Sequence, residues 1–201
     1  MSQLPYPLQM SFKIMAFAPQ IYVRDNSGRD LFYVHQKLFK LKEDIGVYRD
    51  SSKSHELFRI KADRIIDFSA RYTFTDSNSG MVVGAVKREG MKSIFKASYN
   101  IFAEGEQISH HIKEDNAMVK VFDALFSEIP VLGILSGYVF NPTYTVYQSG
   151  TETPILRVHK QPSFLESKFE LEKLAEPAND TEEARLLLSI MMMTLLERSR
   201  G

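Results

Sequence analysis

The sequence predicts a mainly β fold, a closed antiparallel barrel of about 12 strands around a buried hydrophobic C-terminal helix. Three observations carry this expectation. A strand–turn–strand unit recurs along the chain, its strands alternate apolar and polar residues, and the last apolar stretch is greasy on every side.

The recurring unit first runs Ile21-Tyr22-Val23-Arg24, Asp25-Asn26-Ser27-Gly28, then Leu31-Phe32-Tyr33-Val34-His35. Its second copy is Val47-Tyr48-Arg49, Asp50-Ser51-Ser52-Lys53, then Leu57-Phe58-Arg59-Ile60-Lys61. A third spans Arg71 to Val86 around Asp76-Ser77-Asn78-Ser79-Gly80, and a fourth spans Tyr144 to His159 around Gln148-Ser149-Gly150. β-branched and aromatic runs on either side of an Asx/Ser/Gly turn are hairpin signals, and Asp25, Asp50 and Asp76 recur because such a turn needs an Asx side chain. Leu31, Leu57 and Val82 stand 26 and 25 residues apart, a nearly constant period. Aligned this way, the inward positions are Phe32 and Val34, Phe58 and Ile60, Val83 and Ala85, Leu156 and Val158. Tyr33/His35, Arg59/Lys61 and Arg157/His159 then face water, one buried and one wet face. The third copy is apolar on both faces, as if one side of that strand were covered.

Antiparallel strands with one buried face must stack as two sheets or close into a barrel, and the C-terminus chooses. Beyond Pro177, Asp180 and Glu183 fit an N-cap and N3 pair. Ala184 to Leu196 then reads as a helix, at about 181–198, apolar all round apart from Arg185, Ser189 and Thr194. Such a helix must be buried all round. A second helix is expected over Asp115 to Phe126, where Met118, Val119, Phe122, Leu125 and Phe126 share a face, as a plug at one barrel end. No linker or low-complexity tract divides the chain, so one domain over 1–201 is expected.

Composition narrows the function classes. Lysine plus arginine equals aspartate plus glutamate at 25 each, which argues against nucleic acid as a partner. The absence of cysteine excludes disulfides, thiolate metal sites and a cysteine nucleophile, and fits a reducing compartment. No signal peptide is read at residues 1–20, and the longest apolar runs fall short of the roughly 20 residues that span a bilayer. There is no Gly-x-Ser-x-Gly elbow, phosphate loop or dinucleotide fingerprint. His110 and His111 precede Glu114, but adjacent residues of a strand point to opposite faces, so no metal site is expected. His35 and His159 fall on the wet face. The chain is therefore read as no enzyme and as needing no cofactor.

Two basic clusters stand out. Lys37, Lys40 and Lys42 follow one repeat strand, and Lys87, Arg88, Lys92 and Lys96 follow another, so both fit one barrel end. A ring of this kind would hold an anionic headgroup through charge-assisted hydrogen bonds. Against this stands a solvated rim, balanced by Glu43, Asp44 and Glu89. The stretch from Ile129 to Phe140 is apolar but broken by Pro130, Gly133 and Gly137. It is either a glycine-bent strand pair or an exposed loop whose Ile129, Val131, Leu132, Ile134 and Leu135 touch a membrane or partner.

The segment Ile21-Tyr22-Val23-Arg24-Asp25-Asn26-Ser27-Gly28 leading into Leu31-Phe32-Tyr33-Val34, then Lys37-Leu38-Phe39-Lys40-Leu41, and the final helix resemble the tubby C-terminal-like superfamily, and within it the LURP-one-related branch. The resemblance implies the barrel-around-a-helix fold and a bias toward lipid or membrane association. It transfers no functional residue, and the lack of cysteine-rich acylation segments departs from the phospholipid scramblases. The resulting expectation is a non-catalytic cytoplasmic binding module, peripheral at a membrane, that takes an anionic phospholipid or membrane surface. The alternative is a protein-interaction domain using the outer barrel face or the 129–140 segment.

Overall fold

A computed structural model describes residues 4–13, 19–36, 44–64, 70–90, 97–115, 142–162 and 166–198. Their strands are β1 (Leu8–Lys13), β2 (Gln20–Arg24), β3 (Asp30–Gln36), β4 (Asp44–Tyr48), β5 (Glu56–Ala62) and β6 (Arg71–Asp76). They continue as β7 (Val82–Arg88), β8 (Ser98–Phe102), β9 (Ile108–Glu114), β10 (Thr143–Gln148), β11 (Pro154–Gln161) and β12 (Glu166–Lys173). Helix α1 (Asp180–Arg198) follows. The expected helix over 115–126 and the segment 129–140 lie outside the described residues, apart from Asp115.

Each strand pairs antiparallel with its neighbours in sequence, and β1 pairs with β12 to close the barrel. Leu8 faces Leu171 and Phe12 faces Ser167 in that closing seam. Closure leaves no free sheet edge and encloses a lumen that must be filled. Helix α1 fills it. At about 1.5 Å per residue it is about 28 Å long, and Leu186, Leu187, Ile190, Met191 and Met193 are all buried against the barrel core. Its three polar interruptions are absorbed locally. Arg185 donates Nε to the carbonyl of Val83 at 2.7 Å, Ser189 donates to the carbonyl of Arg185, and Thr194 to those of Ile190 and Met191. No helix among the described residues is long and apolar enough to cross a membrane.

The helix cap differs from expectation by one residue. Asn179, not Asp180, accepts the N3 amide, that of Glu182, at 2.9 Å, and its carbonyl accepts from Glu183. Asn caps as well as Asp does, and Asp180 joins Glu182 and Glu183 in the acidic first turn that the helix dipole favours.

The hairpin turns follow the predicted chemistry. Asp25, Asp50 and Asp76 each accept an amide two residues on, from Ser27, Ser52 and Asn78, all at 2.9 Å. A bulge lies beside the turn in all four predicted hairpins and in a fifth, β8–β9, its extra residue on the strand that follows the turn. In the third copy the face assignment shifts by one residue, because the residue equivalent to the bulged Leu31 and Leu57 is Val83 and not Val82. Gly84 pairs with Phe74 and Val86 with Tyr72, so these residues face inward, while Ala85 lies on the outer face opposite Thr73. Val83 stays in the core and Ala85 leaves it.

The turns also supply a test with opposite signs at equivalent positions. Gly28 and Lys53 each stand three residues after the turn aspartate with φ of 81° and 58°. A side chain in the left-handed region costs about 1 kcal/mol. Gly28→Ala should therefore destabilise by about 1 kcal/mol and Lys53→Gly should stabilise by a few tenths, read as urea midpoints.

Candidate functional site

An up-and-down barrel segregates its connections. The five hairpin turns gather at one end, and the residues flanking 14–18, 37–43, 65–69, 91–96, 116–141 and 163–165 stand at the other. Gln36 and Asp44 thus share an end with Gly90 and Ala97. Lys37, Lys40, Lys42, Lys92 and Lys96 themselves lie outside the described residues, as do Ile129, Val131, Leu132, Ile134 and Leu135.

Lys87 and Arg88 do lie within them, at the C-terminal end of β7, and they part company. Lys87 is half-buried on the outer face, paired in register with Arg71 and Asn100. Arg88 points into the lumen and is 6% exposed. Its Nη2 is 3.5 Å from Glu197 Oε1 on α1, and its guanidinium stands 5.7 Å from the centre of the Tyr99 ring. Tyr99 donates its hydroxyl to the same Glu197 oxygen at 2.6 Å. Burial, and then Glu197, push the Tyr99 hydroxyl far above the ordinary phenol range. Tyr144 is raised by burial and then by Glu114 and Glu197. Glu114, fully buried, accepts the Ala97 amide at 3.2 Å. Arg88 is thus part of an internal polar cluster that fastens the last turn of α1, and it does not share a surface with Lys87.

Sequence reading missed Tyr99, Tyr144 and Glu197 as partners. The available signal was strand alternation, which separates residues 87 and 88 just as it separates His110 from His111. Those histidines part as expected. His110 is buried in the lumen, whereas His111 lies outside, 3.0 Å from Glu152 and stacked on Tyr147. His159 is on the outer face, 3.5 Å from Glu172.

The other end of the lumen holds the start of α1. His110 lies 3.6 Å from Glu182, and Arg185 reaches the Val83 carbonyl. Glu183 is buried beside Tyr6, whose hydroxyl is pushed up by burial and then by that carboxylate. Among the described residues no group of three or more His, Asp or Glu side chains is arranged to hold a metal ion. Both polar clusters hold the helix in place, and the apolar core between them fills the lumen among the described residues.

A family model described as LURP-one-related matches residues 29–172 of the chain. The X-ray structure of a protein from Arabidopsis thaliana is similar, with a TM-score of 0.53 and 13% sequence identity over 98% of this chain and 94% of that one. At that identity the likeness is one of fold. No curated protein matches the chain.

Proposed function

The chain belongs to the LURP-one-related family, and from that premise we propose that it is a non-catalytic binding module that docks on an anionic membrane surface through one barrel end. Family and barrel fold together suggest a binding module. The observation that carries the finer reading is the polarity of the two ends. Turns of Asp, Ser and Gly close one. At the other, the strand ends flank the segments that carry Lys37, Lys40, Lys42, Lys92 and Lys96, with one acidic residue, Glu43, in those two segments. The apolar Ile129, Val131, Leu132, Ile134 and Leu135 belong to a segment flanked at the same end and would add insertion to attraction. Lys87 extends the set on the outer wall. Arg88 does not, since its charge is committed to Glu197. The module would sit peripherally on a cytoplasmic membrane face.

Each lysine near an anionic surface contributes about 1 kcal/mol, screened within a Debye length. The purified chain should bind phosphatidylserine-containing vesicles at low salt, more weakly at physiological salt, and pure phosphatidylcholine vesicles least. Reversing Lys37, Lys40, Lys42, Lys92 and Lys96 to glutamate should lower affinity at least about a hundredfold without changing stability. Absence of binding to anionic vesicles at low salt, or unchanged binding of the reversed variant, defeats the proposal. A protein-interaction domain is the second reading. It is favoured by Met81 and Val82, exposed at 61% and 44% at the head of β7, and lipid-independent capture of a stoichiometric partner lost on Met81→Asp would select it.

A further inference from the structure

We infer that His110 and the first turn of α1 form an acid-sensitive latch, which loosens the N-terminal end of the central helix while its C-terminal end stays held. The argument is one of charge placement inside the lumen. His110, on β9, is 2% exposed. Its Nε2 is 3.6 Å from Glu182 Oε1 and its Nδ1 is 3.1 Å from Ser109 Oγ. On the strands paired with β9, it faces Ile101 of β8 and Gln148 of β10, neither of them charged. From α1 it faces the carboxylate of Glu182 and, one helical turn nearer the core, the guanidinium of Arg185. His111 lies on the outer face but adds a second repulsion, and Glu104, from the β8–β9 turn, acts on Arg185.

A proton on His110 therefore creates a buried cation beside Arg185 and near the positive end of the helix dipole, with Glu182 as the opposing charge. Glu182 is already engaged, since its carboxylate accepts the Ala178 amide where the chain turns into the helix. Drawing it toward an imidazolium weakens that turn. Burial first, and then Arg185 and His111 against the pull of Glu182, hold the His110 imidazole below its ordinary value of 6.5. The sign follows from linkage. The unfolded segment takes up a proton near the ordinary value while the latched form resists it, so the latch is fully closed above that pH and weakens as pH falls through it. Glu183, on the same helical turn, is raised by burial. Protonating it relieves a buried charge, so acid acts there in the opposite direction. At the far end Glu197 is held by the Tyr99 hydroxyl and the Arg88 guanidinium, with no histidine among these contacts.

Amide hydrogen exchange of the full chain, corrected for intrinsic rates, reads both ends of α1 at once. Between about pH 7.5 and about pH 5, the range in which a histidine switches, protection over Glu183–Leu187 should fall about fivefold or more, while protection over Met192–Leu196 stays constant. In His110→Gln protection should fall at neither end. An equal fall at both ends, or the same fall in the variant, overturns the latch. Should the variant not fold, the wild-type imidazole titration followed by NMR decides. A His110 midpoint below that of an unstructured histidine supports the latch, and a midpoint at or above it overturns the latch.

Discussion

Alanine at Gly84 is expected to destabilise the protein by about 3 kcal/mol or more, a large share of the roughly 5–15 kcal/mol that holds a typical domain together. Gly84 sits at the bulge of β7 with φ of 149°, a conformation that residues with a side chain rarely adopt. A Cβ there would lie 2.6 Å from the Phe102 carbonyl oxygen and 2.7 Å from Cδ and Nε of Arg185. The two neighbours differ in what they can yield. Arg185 is a side chain, anchored by its bond to the Val83 carbonyl, whereas Phe102 is backbone in the adjacent strand. Urea denaturation should show Gly84→Ala strongly destabilised and Gly84→Ala with Arg185→Ala no better. Gly90→Ala, where a Cβ meets nothing within 4 Å, should be near neutral. Rescue by Arg185→Ala would show that the helix, and not the strand backbone, sets the limit.

The same glycine marks where local sequence logic ran out. Aligning the copies at Leu31, Leu57 and Val82 assigns Val83 and Ala85 to the core, but the bulged residue equivalent to Leu31 and Leu57 is Val83, so the inward positions are Gly84 and Val86. Every copy carries the same bulge, so the miss came from the alignment of the third copy, whose first inward residue, Gly84, has no side chain to mark the face. Alternation held in the copies centred on Asp25 and Asp50, where Phe32, Val34, Phe58 and Ile60 are all core residues. The hairpin between β8 and β9 was illegible for a different reason. Its turn starts at Ala103, whose amide bonds to the Gln107 carbonyl as Asp25 bonds to that of Arg29, but without an Asx side chain to announce it. The seam between β1 and β12 joins residues about 160 positions apart, and nothing local encodes it. The helix was the most legible element because its all-round apolar surface allows one environment only.

At the candidate site, charge type was legible and direction was not. Lys87 and Arg88 read as one basic patch along the chain, yet a strand sends them to opposite faces. The partner that explains Arg88, Glu197, is more than a hundred residues away on the helix. Buried pairs of that kind become visible only once the lumen is filled.

Arg88→Met is therefore expected to cost stability and to leave membrane docking intact. Losing the guanidinium removes a cation beside the Glu197 carboxylate at the lumen mouth, beneath the Tyr99 hydroxyl that donates to it. Breaking a buried pair by removing one partner costs about 3–5 kcal/mol. Glu197 retains 17% exposure, so about 2–4 kcal/mol is expected after screening by solvent. Glu197→Gln in the same background removes the stranded charge and should recover part of that loss, because two apolar or neutral partners are tolerated where one bare charge is not. Lys87→Ala, on the outer wall, should stay within about 0.5 kcal/mol of wild type. Urea midpoints separate these variants, and vesicle binding is then read on the folded fraction. Folded Arg88→Met should bind anionic vesicles as wild type does. If it keeps its stability and loses the vesicles, Arg88 belongs to the docking surface, and the pairing with Glu197 is not what holds the helix end.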